Sequence, residues 1–155
     1  MKENDLLKKA QKLKAHGCTA SQIFSEILSE FIDTPYVWGG NTVEGADCSG
    51  TVCAALSATA GYKIRETADD LYRKYFTNKA SMNADAINAM FFLNTNGKAV
   101  HVCGSLSNGE FLNESRREMP QCGTVRKREE LLIIYCDLTI IECSLDMNVC
   151  KPKEM

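Results

Sequence analysis

Histidine is scarce in this chain, and long apolar runs are missing from it. Only His16 and His101 occur among 155 residues, and none of the eight cysteines is spaced C-x-x-C from another. A Cys/His cage therefore has little to build on, and neither a metal nor another cofactor is expected. Charge of one sign is lacking too: 18 Lys and Arg stand against 20 Asp and Glu, a net charge of −2. So weak a field offers no basic face to phosphates, which excludes a general nucleic-acid binder. Nowhere do enough apolar residues run together to span a bilayer, so no membrane association is expected. The opening MKENDLLKKAQKLKAHG carries charge at every turn and has no apolar segment of a secretory leader. The chain is expected to be cytoplasmic at synthesis, with its thiols free.

What is present is ordinary globular composition, 45% hydrophobic and 25% charged. The length suits one domain over 1–155, expected to be monomeric. Leu6, Leu7, Ala10 and Leu13 recur at helical spacing, and His16-Gly17 supplies a stop. His16 there is a partner for the helix end, not a site. A second helix starts at Thr19 or Ser21 and carries Ile23, Phe24, Ile27, Leu28 and Phe31 before Asp33-Thr34-Pro35. A loop with Gly39, Gly40 and Gly45 follows, too glycine-rich for regular structure. From Asp47 the run CSGTVCAALSATAG reads as a closely packed helix of small residues closed by Gly61. Thr67 to Tyr75 reads as a short amphipathic helix with Thr67 as cap. Beyond Asn83 the pattern turns extended: Ala89 to Leu93, Lys98 to Leu106 and Glu110 to Asn113, with turns at Thr95-Asn96-Gly97 and Ser107-Asn108-Gly109. Leu131 to Tyr135 and Leu138 to Ile141 are two further strand candidates. The expected class is α+β, helices first and an antiparallel sheet after.

Cys48 follows the glycine loop and opens the small-residue helix. Free N–H groups at a helix start stabilise a thiolate, and an oxyanion after it attacks a carbonyl. The expectation is therefore a lowered thiol pKa. Such a nucleophile needs a base, usually a histidine oriented by a third polar group. His101 lies mid-strand between Val100 and Val102, an odd place for an imidazole otherwise, and Asn113 is on the next strand. A two-residue Asn108-Gly109 loop would pair 104 with 113 and put His101 and Asn113 on opposite faces. A three-residue Ser107-Asn108-Gly109 loop pairs 103 with 113 and makes them diagonal neighbours, about 7–8 Å apart at the backbone. The catalytic reading requires the second.

Thr34-Pro35-Tyr36-Val37-Trp38-Gly39-Gly40, followed by Ala46-Asp47-Cys48-Ser49-Gly50, resembles the signature of the NlpC-type bacterial cell-wall cysteine peptidases. Arg65 to Tyr72 is similar to that family's connecting helix, Met90-Phe91-Phe92 to its next strand, and His101-Val102 with Phe111 to Ser115 to its second half. The resemblance implies a papain-like fold in which Cys48 attacks, His101 is base and then acid, and Asn113 orients the imidazole. It implies that Tyr36 lies beside the reacting carbonyl and that Asp47 and Ser49 help hold the substrate. That substrate would be a peptidoglycan stem peptide, cut between D-γ-glutamyl and a diamino acid. Without a leader, the enzyme would reach the wall by another route, as a phage or prophage lysin does.

The sequence departs from the family pattern in places. Cys103 stands where a glycine is common, Asn113 where histidine is the more frequent third residue, and no Pro-Gly-Asp precedes the Met90 strand. A thiol–imidazole pair also serves other acyl chemistry. An acyltransferase or deamidase, an N-acetylmuramoyl amidase and a non-catalytic wall-binding relative are the alternatives.

Overall fold

The computed structural model describes residues 3–79, 85–106, 110–112, 132–137, 141–143 and 150–152. Helix α1 spans Glu3–Ala15, and His16 Nδ1 closes it with a hydrogen bond to the Lys12 carbonyl. Helix α2, Ala20–Ser29, begins at a Thr19 cap. Thr19 Oγ1 accepts the Gln22 N–H while the Gln22 side chain accepts the Thr19 N–H, so two orphan donors are met reciprocally. Helix α3 spans Cys48–Ala60 and stops at Gly61, whose φ of 83° is the left-handed end that glycine alone adopts cheaply.

The glycine loop is more regular than its composition suggests. Asn41–Thr42 (β1) and Gly45–Ala46 (β2) form a two-stranded ribbon, which brings the chain back to the start of α3. The loop can lie this close because Gly50 has no side chain: a Cβ there would sit 1.9 Å from the Gly40 carbonyl oxygen. The predicted helix at 67–75 is also different. Only Ala68–Asp70 (α4) is α-helical; Leu71–Tyr75 widens into a π turn, with the Phe76 N–H reaching the Leu71 carbonyl. The wider turn sets both Tyr72 and Phe76 against the ring of Phe91.

Among the described residues, five strands make the main sheet: β3 (Asn78–Lys79), β4 (Asn88–Leu93), β5 (Ala99–Ser105), β6 (Phe111–Leu112) and β7 (Leu132–Asp137). Their order is β3-β7-β4-β5-β6, antiparallel throughout. Ile141–Cys143 (β8) and Cys150–Pro152 (β9) pair separately, and of the expected strand 138–141 the first three residues lie outside those described. Alternation divides β4 between two clusters. Ala89, Phe91 and Leu93 join Phe24, Leu28 and Val52 in the main core, while Met90 and Phe92 meet Cys103 and Phe111 on the other face. The result is the expected α+β architecture, with helices on one face of an antiparallel sheet.

Candidate active site

Asp47 is the N-cap of α3 and is 6% exposed. Its Oδ1 accepts the Gly50 N–H at 2.7 Å and the Ser49 hydroxyl at 3.3 Å; its Oδ2 accepts the Gly39 N–H at 2.8 Å. One carboxylate thus fastens the glycine loop to the helix that carries Cys48. Arg65 Nη2 donates to both oxygens, at 3.3 and 3.4 Å, and Nη1 donates to Ser49 Oγ at 3.2 Å. The guanidinium offsets a charge that would otherwise be buried alone.

Cys48, a free thiol, is the first residue of that helix. Burial pushes its pKa up, and the nearby Asp47 charge adds to the rise. Against these, the backbone N–H groups of Val102, Ser49 and Cys48 itself favour the thiolate. The expected lowering of the thiol pKa is therefore corrected. The helix start does supply its N–H groups, but desolvation outweighs them.

His101 sits on β5 beside an irregularity in the sheet. Phe92 pairs with His101, yet the next residue, Leu93, pairs with Ala99, so Val100 is an extra residue in the strand. This bulge puts Ala99 in the main core and His101 on the opposite face, which regular alternation would not do. The imidazole is 2% exposed, meets the Phe92 ring edge-on at 5.2 Å, and has its Nε2 at 3.6 Å from the Cys103 sulfur. Asp69 secures the strand just before it, its Oδ1 accepting the Ala99 N–H at 3.0 Å.

These elements enclose a cleft of about 640 Å³ lined by Tyr36, Asp47, Cys48, Ser49, Arg65 and His101 among others. Trp38, 78% exposed, stands at its rim. A helix-start thiol and a buried imidazole opening onto one cleft can perform nucleophilic acyl chemistry. Among the described residues no cluster of His, Cys, Asp and Glu gathers that could hold a metal ion.

Residues 33–129 match the NlpC/P60 family. The chain belongs to the NlpC/P60 family. It is accordingly a cysteine peptidase of the peptidoglycan-hydrolase kind. Among solved structures, the NlpC/p60 domain of the peptidoglycan hydrolase SagA is similar in fold, with a TM-score of 0.53 at 22% identity. The alignment covers 76% of this chain and 97% of that one. No curated protein matches the chain.

Of the residues singled out in this NlpC/P60 member, Tyr36, Asp47, Cys48, Ser49 and His101 come together on the cleft. Asn113 lies outside the described residues. The hairpin that leads to it pairs Gly104 with Leu112 and Ser105 with Phe111, and Leu106 donates to the Glu110 carbonyl. That register is the one the Asn113 assignment requires.

Sequence reasoning gave no role to Arg65. Its position two residues before the Thr67 helix cap was visible, but its pairing with Asp47 depends on the chain doubling back across 18 residues. The expectation of free thiols holds at Cys18, Cys48 and Cys53 and fails at Cys103, which is disulfide-bonded. Cysteine pairing follows from proximity in the fold, and spacing along the chain does not disclose it.

Proposed function

We propose that this NlpC/P60 member hydrolyses an amide bond in peptidoglycan stem peptides, of the D-γ-glutamyl–diamino acid type. Cys48 is the nucleophile, His101 the base, and Asn113 the group that orients His101. The observation that carries this reading is the shared cleft, onto which the Cys48 thiol at the start of α3 and the buried His101 both open. Because burial holds the thiol protonated, the thiolate forms as His101 takes the proton. The N–H groups of Val102, Ser49 and Cys48 then bear its charge. Attack on the carbonyl gives a tetrahedral oxyanion, and its collapse expels the amine, protonated by imidazolium. Water activated by the same imidazole releases the acyl group.

Tyr36 lines the cleft where the reacting carbonyl would lie. The carboxylate of Asp47 is engaged by Arg65 and the loop, so its part is to set the shape and charge of the cleft floor. Ser49, between Asp47 and Arg65, shares that part.

Purified protein incubated with defined muropeptides, with products weighed by mass spectrometry, tests the reading. Cleavage at the γ-glutamyl bond, abolished in Cys48→Ala and His101→Ala, is the expected result. A mass change without chain cleavage would replace it with transfer or deamidation. Turnover surviving in Cys48→Ala would end the cysteine mechanism.

A further inference from the structure

Besides His101, the charged residues lining the cleft are Asp47, Arg65, Glu66 and Lys98. Three of them are engaged within the protein. Arg65 gives Nη2 to the Asp47 carboxylate and Nη1 to Ser49 Oγ and to the Glu66 carbonyl. The Glu66 carboxylate takes the Tyr75 hydroxyl at 3.4 Å. Lys98 differs from these. Among the described residues no ion pair joins its ammonium to a carboxylate. Its backbone is nonetheless held on both sides. Asn94 Oδ1 accepts the Lys98 N–H at 3.0 Å, and Asp69 Oδ1 accepts the N–H of the next residue, Ala99, also at 3.0 Å. The turn is closed by the Asn94 N–H on the Lys98 carbonyl at 2.9 Å, with Gly97 at a φ of 77°. A fixed stretch of chain thus carries a cation three residues before His101, roughly 10 Å away along a strand.

We propose that Lys98 is a specificity-determining residue: its ammonium pairs with the free α-carboxylate of the D-γ-glutamyl residue, so the acid is preferred to the α-amide. The inference rests on the reading of the cleft as a γ-glutamyl hydrolase site. A γ-glutamyl residue attacked at its γ-carbonyl carries the α-carboxylate on the same short side chain, so that charge must enter the cleft with the scissile bond. Asp47 and Glu66 repel it there, and Arg65 is already spent on Asp47. Lys98 is the cation left to answer it. The α-amide has nearly the same shape, but it is neutral and leaves the ammonium without a counter-charge. The carboxylate takes no part in bond making, so the pair is equally strong in ground and transition states and is felt in KM.

Two synthetic tripeptides test this, L-Ala–D-γ-Glu–diamino acid with the glutamyl α-carboxyl free or amidated. In the parent protein, KM should be about three- to ten-fold lower for the free acid, the range of one charged contact in a cleft open to water, with kcat unchanged. Lys98→Gln should raise KM for the acid to that for the amide. Lys98→Arg should keep the preference and Lys98→Glu should reverse it. Equal KM values in the parent, or a preference that survives Lys98→Gln, would overturn the proposal and leave the hydrolase reading standing. Binding supplies a readout independent of turnover, because Trp38, the single tryptophan, stands exposed at the cleft rim. Its fluorescence, titrated with each peptide in Cys48→Ala protein with and without Lys98→Gln, should give the same ratios as Kd values. A preference dependent on Lys98 in a protein that cleaves neither peptide would sink the hydrolase reading alone.

Discussion

Replacing Asp47 separates its structural work from its electrostatic work, because the two respond in opposite directions. In Asp47→Ala the Gly50 and Gly39 N–H groups and Arg65 all lose their acceptor. Loss of a helix cap costs about 1 kcal/mol, and a buried donor left unmet adds about 1–3 kcal/mol. The Arg65 pair adds little, since that side chain is 31% exposed and its charge is screened. A total of roughly 2–4 kcal/mol lowers Tm by roughly 5–15 °C in a chain of this size. Asp47→Asn keeps an amide oxygen for Gly50 and loses the charge, so roughly half of that cost is expected. The thiol responds the other way. With the negative charge gone, the Cys48 thiolate is less disfavoured, and Arg65 no longer spends its charge on a carboxylate. Asp47→Asn should therefore melt lower than the parent yet label faster with iodoacetamide at neutral pH. Thermal melts and a mass-spectrometric labelling time course measure both quantities. A folded Asp47→Asn whose Cys48 labels more slowly than the parent's would refute the argument.

Two more outcomes follow from the same geometry. Since burial and Asp47 raise the thiol pKa, Cys48 is protonated below that raised value, and its alkylation rate should climb with pH to a midpoint above that of an ordinary cysteine. A reactive plateau already present at acidic pH would show instead a thiolate–imidazolium pair formed in advance. Asp69→Ala removes the acceptor of the Ala99 N–H, a loss of about 1–3 kcal/mol felt beside the bulge. Hydrogen exchange should quicken at the Ala99 amide and kcat should drop; an unchanged exchange rate would remove Asp69 from any part in holding the strand.

Much of the fold was legible because its signals are local. The capping residues Thr19 and Thr67, the Gly61 stop and the hydrophobic period of α2 each act within a few residues, and each appears where expected. The place of Cys48 at a helix start was legible for the same reason, since the residue and its helix are neighbours in the chain. What escaped depends on segments far apart in sequence: Arg65 reaching Asp47, Cys103 entering a disulfide, and burial outweighing the helix start at Cys48. The β1–β2 ribbon escaped differently. Its glycines were read as breakers, whereas at Gly50 the missing side chain is what admits the Gly40 carbonyl and allows the loop to pack.

The bulge at Val100 is the instructive failure, because strand reasoning reached His101 without it. Strict alternation would put Ala99, His101 and Cys103 on one face of β5. Ala99 in fact joins the main core beneath the helices, while His101 and Cys103 lie on the other side. One extra residue reconciles the two demands, keeping β5 sealed against the core at Ala99 and Val102 while His101 is re-aimed. Val100 itself is 42% exposed and lines the cleft beside His101. A valine between alanine and histidine carries no turn chemistry, so nothing local announces the irregularity. Its support is remote: the Asp69 carboxylate, 30 residues earlier, takes the Ala99 N–H next to the point where the ladder shifts. The strand that carries His101 is thus held by α4 as well as by its own ladder, because Asp69 pins the residue at which the register shifts.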